Sequence, residues 1–227
     1  ATVADLRHLA VSVALSEFDA ARVKRGQRAL VSVDALGGRR FPGKVLAPFR
    51  GRPIIWHVLD RVTRALPKLP RLVVTSTDPS DDPLAAYLAD LGQPCFRGPL
   101  DDVLERFRLA AAKHEAAYVL RICADSPLLD NHVLHAVLAA HDPGLDLVTT
   151  THPRTFPKGH NAELINMASL AALADLDAED REHVTRAFHR WPGRFRIVNV
   201  ESGDPGLAEL ELAIDTIEDL RRLESWA

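Results

Sequence analysis

Cysteine is scarce in this chain, with two residues among 227. Cys95 and Cys123 sit in apolar surroundings without metal-ligand spacing, so no disulfide framework or structural zinc site is expected. They read as buried thiols in a reducing, cytoplasmic compartment. No apolar run approaches the roughly 20 residues that a membrane span requires. Charge of one sign is not in excess either: 28 Lys and Arg stand against 31 Asp and Glu, a net charge of −3. That balance argues against a nucleic-acid grip made by whole-molecule charge and leaves a local basic cleft open. Internal repeats, low-complexity tracts and long linkers are missing, as are the glycine spacings of the dinucleotide fingerprint and of Walker A.

What is present is ordinary globular material, 47% hydrophobic and 26% charged. A chain of this length buries on the order of 70% of its unfolded surface and folds without staples. Over residues 1–28, Val3, Leu6, Leu9, Ala10, Val13, Ala14 and Phe18 recur at helical spacing. Asp5 precedes the apolar stretch, so an amphipathic N-terminal helical extension is expected rather than a signal peptide.

From residue 29 onward, short β-prone runs alternate with helical periodicities. Strands are expected at 29–33, 71–75, 94–96, 118–123 and 145–149, with helices at about 54–66, 83–91, 102–114 and 131–140. This alternation implies parallel strands joined by helical crossovers on both faces, an α/β fold. Further on, strands are expected at 162–166, 194–200 and 209–214, with helices near 168–174 and 181–190. A mostly parallel mixed sheet follows.

Ligands of such sheets gather at the carboxyl ends of the strands. The loop after the first strand runs Asp34-Ala35-Leu36-Gly37-Gly38-Arg39-Arg40-Phe41-Pro42-Gly43-Lys44. Gly37 and Gly38 let backbone amides approach an anion, and Arg39, Arg40 and Lys44 add positive charge, which suits a phosphate-rich ligand.

Arg40-Phe41-Pro42-Gly43-Lys44, followed by Gly51-Arg52-Pro53-Ile54-Ile55, resembles the nucleotidyltransferases that make CMP-activated acidic sugars. The nearest branch is the spore-coat polysaccharide cytidylyltransferases, related to the CMP-3-deoxy-octulosonate and CMP-sialate synthetases. The resemblance continues through Thr75 to Asp78, Phe96-Arg97-Gly98, Asp101 to Arg106, Arg121 to Asp130, Asp180 to Thr185 and Ile214 to Leu220. It covers about residues 29–225 in order. It implies a single Rossmann-like nucleotidyltransferase domain of the GT-A type over 29–227. The implied reaction transfers CMP from CTP to a small acidic acceptor and releases pyrophosphate. Neither a nucleic-acid nor a membrane partner is expected, and a homodimer is compatible.

Such chemistry builds charge on phosphoryl oxygens and needs cations with a divalent metal. Asp125 follows the apolar strand 118–123, and Asp215 follows the expected strand 209–214. Two carboxylates delivered from separate strands suit one Mg²⁺, and the resemblance puts the metal on these same two residues. It also implies Lys44, Arg40 and Asp125 as catalytic, while Gly37, Gly38 and Arg39 are nucleotide-binding candidates from the loop's own composition. Arg97, Asp102 and Arg106 are then the candidates for framing base and ribose. One departure concerns the first loop: Val33, Asp34 and Ala35 stand where the family commonly has Gln-Ala and an arginine, and Arg39 is a candidate replacement for that charge.

On the acceptor side, Arg154, Lys158, His160 and Asn161 cluster ahead of Glu163, while His183, Arg186 and His189 recur every third residue on an expected helix face. The cluster favours a sugar acid, sugar phosphate or phosphonate. Two alternatives stay open. A glycosyltransferase of related fold would use a sugar nucleotide, although Asp125-Ser126-Pro127 lacks the second acid of an Asp-x-Asp metal pair. A nucleotide-binding protein without activity is the other, motivated by Ala35.

Overall fold

A computed structural model describes residues 29–34 and 44–226. The expected N-terminal helix and the loop residues Gly37, Gly38, Arg39 and Arg40 lie outside the described residues. β1 (Ala29–Asp34) is followed by a short hairpin, β2 (Pro48–Phe49) and β3 (Arg52–Pro53), and then by α1 (Ile54–Ala65). β4 (Arg71–Ser76), α2 (Asp82–Asp90), β5 (Cys95–Gly98), α3 (Val103–Lys113), β6 (Tyr118–Cys123) and α4 (Asn131–Ala139) continue the alternation. The second half holds β7 (Leu147–Thr149), β8 (Ala162–Asn166), α5 (Met167–Ala171), α6 (Ala178–Glu182), α7 (Arg186–Arg190), β9 (Ile197–Asn199) and α8 (Ile217–Glu224).

Seven strands form one sheet in the order β5-β4-β1-β6-β8-β7-β9. β5, β4, β1 and β6 are parallel, β8 runs against both neighbours, and β7 pairs in parallel with β9. The chain moves from β1 outward to β4 and β5, then returns to the other side of β1 for β6. The crevice between the ends of β1 and β6 is therefore the topological switch point where such sheets bind ligands. Asp34 and Cys123, the last residues of these two strands, are in register there.

Alternating side chains divide the core. Val31, Val33, Leu120, Ile122 and Leu164 pack beneath α1, α2 and α4. Leu30, Leu72, Val119 and Ile165 pack beneath α3, α5 and α7. α1 shows why these segments become helices: Ile54, Ile55, Val58, Leu59, Val62 and Ala65 all fall on one buried stripe. Each large aliphatic side chain contributes about 1.5–3 kcal/mol on burial. A smaller cluster of Phe49, Ile54, Ile214, Leu220 and Leu223 locks α8 against the hairpin, and so fixes the segment that leads into it.

Three expectations are corrected. The segment 209–214 is not a strand: a 3₁₀ turn covers Pro205–Glu209, and a single bridge joins Glu211 to Lys158. The expected helix 181–190 is two short helices, α6 and α7, broken at His183 to Thr185. The break has a physical cause, because the Thr185 hydroxyl turns inward to the buried Glu163 carboxylate at 2.9 Å. His183, Arg186 and His189 therefore do not share one helix face. Lastly, Cys95 and Cys123 are of intermediate exposure rather than fully buried. Among the described residues, no helix is long and apolar enough to cross a membrane.

Candidate active site at the sheet switch point

Lys44 opens a 3₁₀ turn, Lys44–Leu46, whose Val45 is buried in the core. The turn aims the lysine across the carboxyl edge of the sheet. Its Nζ lies 3.0 Å from Asp125 Oδ2 and 3.1 Å from Asp215 Oδ1. Asp125 stands two residues past β6, and Ser126 donates a hydrogen bond to its Oδ1 at 3.1 Å. The two acidic segments are tied by backbone as well, since Ile214 N–H donates to the Asp125 carbonyl at 2.9 Å. Asp215 precedes the Thr216–Asp219 capping box that starts α8, and its own N–H donates to the Asp219 carboxylate at 3.2 Å.

Electrostatics in this cluster are mutual. Burial opposes the charge on Lys44, but Asp125 and Asp215 outweigh it and raise its pKa. Burial likewise works against the Asp215 carboxylate, yet hydrogen bonds from Lys158 and Lys44 hold its pKa below the ordinary value. Both carboxylates face one shared cation position, taken by the Lys44 ammonium. Among the described residues, no group of three or more His, Cys, Asp or Glu is placed to hold a metal. Two carboxylates suit a magnesium-type ion that fills its remaining positions with phosphate oxygens and water.

The residues expected to frame the nucleoside are largely engaged by the fold. Arg97 donates to the Ser76 and Asp78 carbonyls at 2.8 and 3.0 Å and pairs with Asp82 at 2.7 Å, fastening β5 to the end of β4. Asp102 caps α3 through Glu105 N–H and pairs with Arg181 at 2.6 Å. Arg106 is 1% exposed and donates to the Pro99 and Leu100 carbonyls, so it shapes the loop from beneath instead of lining the cleft.

The acceptor candidates separate in the same way. Arg154 is exposed and donates to Asn161 Oδ1 at 2.8 Å. His183 is exposed at the end of α6. His160, by contrast, turns inward, its Nε2 3.0 Å from the Leu128 carbonyl, and burial lowers its pKa. Lys158 is paired with Glu211 and Asp215 at 3.2 and 3.0 Å. Arg186 binds Asp177, Glu179 and the fully buried Asp180. Glu163 is 3% exposed, with Arg121 at 2.9 Å and the hydroxyls of Thr149 and Thr185 at 3.2 and 2.9 Å. Arg121 and Thr185 are the residues that sequence reasoning missed, although a charge in mid-strand 118–123 is itself a signal of a buried partner.

An open α/β sheet thus presents a lysine and two convergent carboxylates at its switch point, the place where such sheets bind ligands. Residues 36–226 match the family model described as Cytidylyltransferase. The chain belongs to that family. It is 28% identical over 199 residues to the spore coat polysaccharide biosynthesis protein SpsF of Bacillus subtilis, covering 84% of this chain and 82% of that one. A 3-deoxy-manno-octulosonate cytidylyltransferase of Anaeromyxobacter dehalogenans is 31% identical over 141 residues, 60% of this chain and 56% of its own. Among solved structures, a cytidylyltransferase from Leptospira borgpetersenii superposes with a TM-score of 0.79 at 24% identity, covering 87% and 84% of the two chains. The fold also recurs, at a TM-score of 0.58 and 19% identity, in Rv0371c of Mycobacterium tuberculosis, solved as a manganese complex, with coverage of 88% and 100%.

Proposed function

We propose that this cytidylyltransferase transfers CMP from CTP to a small acidic acceptor, a sugar acid, sugar phosphate or phosphonate, with Mg²⁺ held by Asp125 and Asp215. The observation that carries the reading is the convergence of those two carboxylates, 90 residues apart in the chain, on one cation position at the switch point. In the reaction, an acceptor oxygen forms a bond to the α-phosphorus. The bond from that phosphorus to the oxygen bridging to the β-phosphate breaks, and pyrophosphate leaves. The acceptor hydroxyl gives up its proton as the bond forms.

Bound between the carboxylates, Mg²⁺ would neutralise phosphate oxygens and make the α-phosphorus more electrophilic. Lys44 carries a full charge at the edge of the same cleft and is placed to exchange its carboxylate partners for triphosphate oxygens. The phosphate loop, with Gly37, Gly38, Arg39 and Arg40, contributes the remaining positive charge, and Arg39 stands in for the arginine that Ala35 lacks. Arg154, with Asn161 fixing its guanidinium, and His183 supply the exposed donors for the acceptor's anionic group.

The test is pyrophosphate release from the four nucleoside triphosphates with Mg²⁺, against a panel of 2-keto sugar acids, sugar phosphates and phosphonates. CTP with an acidic acceptor should be the productive pair. Lys44→Ala should slow release about a hundredfold or more, as when one preorganised charge is withdrawn from a developing anion. Asp125→Asn should abolish it. Near-normal Mg²⁺-dependent turnover in Asp125→Asn would refute the metal assignment, and nucleotide binding without turnover on any acceptor would favour a binding protein.

A further inference from the structure

The sequence groups Lys158 with the acceptor residues, but its surroundings belong to the carboxylate pair. Lys158 Nζ lies 3.0 Å from Asp215 Oδ2, while Oδ1 of the same carboxylate faces Lys44 at 3.1 Å. The two oxygens of Asp215 are therefore held from two directions. Lys158 is also 3.2 Å from Glu211 Oε2, so its charge is balanced by an acid outside the Asp125–Asp215 pair. The hydrogen bond to Asp215, offset in part by burial and reinforced by Glu211, raises the Lys158 pKa.

The backbone places this lysine firmly. Lys158 N–H donates to the Leu210 carbonyl at 2.9 Å, and Leu212 N–H donates to the Lys158 carbonyl at 2.7 Å. Gly159 follows with φ +102°, a conformation side chains resist. A Cβ there would lie 2.6 Å from the Leu212 carbonyl carbon and 2.7 Å from Ala213 N, so only glycine permits the approach. One residue further, His160 reaches the Leu128 carbonyl. Residues 157–160 thus brace the segment carrying Asp215 against the segment carrying Asp125.

We infer that Lys158 is a positioning residue for the metal: by holding Asp215 Oδ2, it keeps Oδ1 turned to the cation position shared with Asp125. This rests on the reading of Asp125 and Asp215 as metal ligands. Two effects oppose each other. A lysine beside a metal ligand repels a divalent cation, but Glu211 offsets that repulsion. The orienting effect then prevails, and loss of such an outer partner typically costs about 10–100-fold in metal affinity.

Mn²⁺ serves as the probe, with free ion counted by electron paramagnetic resonance at saturating CTP against a CTP-only control. Lys158→Met should weaken Mn²⁺ binding about 10–100-fold with little change in thermal stability, because its side chain is 40% exposed. Lys158→Arg, which keeps charge and donors, should recover most of that loss. Unchanged or tighter binding in Lys158→Met would overturn the inference, and an equal deficit in Lys158→Arg would do so by pointing to loop packing instead. Asp215→Asn separates the two levels. If it leaves Mn²⁺ binding intact, the metal assignment fails; if it weakens binding while Lys158→Met does not, only the role of Lys158 fails.

Discussion

Arg121 occupies the middle of an otherwise apolar strand, and its guanidinium meets Glu163 on the neighbouring strand at 2.9 Å. The side chains are 13% and 4% exposed, so neither charge has much water to fall back on. Removing one partner of such a pair strands the other, at a cost of about 3–5 kcal/mol, whereas replacing both with apolar residues is often neutral. Arg121→Met should therefore destabilise the protein by about that amount in urea unfolding, and adding Glu163→Leu should recover most of it. A double variant no more stable than the single one would show that the pair does not act as a unit. At this scale the sequence is legible where charge sits just past a strand end, as Asp125 does after β6; Lys44 and Asp215 do meet it, but from a 3₁₀ turn and from a segment that is not a strand. It is poorly legible where charge is internal. Arg106 and Glu163 look like ligands in the sequence because composition and spacing cannot tell a charge facing solvent from one spent on carbonyls or hydroxyls beneath the surface.

Elements of the first half are legible almost throughout, since the crossover helices show apolar stripes and the parallel strands β1, β4 and β6 carry β-branched residues, β5 (Cys-Phe-Arg-Gly) being the exception. The second half is not, and the reasons are particular. Leu210, Leu212 and Ile214 alternate like a strand, yet only Ile214 is buried, and the segment is held instead by the single bridge to Lys158. The helical period through 181–190 persists across a break that a tertiary hydrogen bond from Thr185 imposes. Gly159 carries the most consequence among these connections. Gly159→Ala places a Cβ against backbone at a positive φ, which costs on the order of 1–3 kcal/mol. It also shifts Lys158 relative to Asp215, so pyrophosphate release should fall along with stability. Gly193→Ala is the control, because a Cβ there meets nothing within 4 Å, and its stability should stay within about 0.5 kcal/mol of wild type. Equal melting temperatures for the two variants would remove Gly159 from this role.

Across the whole molecule, three histidines far apart in the fold share one property: burial lowers the pKa of His141, His160 and His189. His141 packs edge-on against Tyr118 after α4, His160 sits in the brace, and His189 of α7 stacks on His152 with centroids 4.3 Å apart. Each is a neutral ring in the folded protein at a pH where the unfolded chain, with an ordinary value near 6.5, begins to take up a proton. The unfolded state then binds more protons, and stability falls as pH drops below about 6.5 towards the folded pKa values. The ion pairs of the site do not share this slope. Asp215 is held below the carboxylate range and Lys44 and Lys158 above the lysine range, so all three keep their charge between about pH 5 and 8. The melting temperature should therefore be lower at pH 5.5 than at pH 7.5. His160→Gln, whose amide can still donate to the Leu128 carbonyl, should shrink that difference, and adding His189→Gln should shrink it further. A pH-dependent loss identical in wild type and in the double variant would place the acid sensitivity outside these histidines.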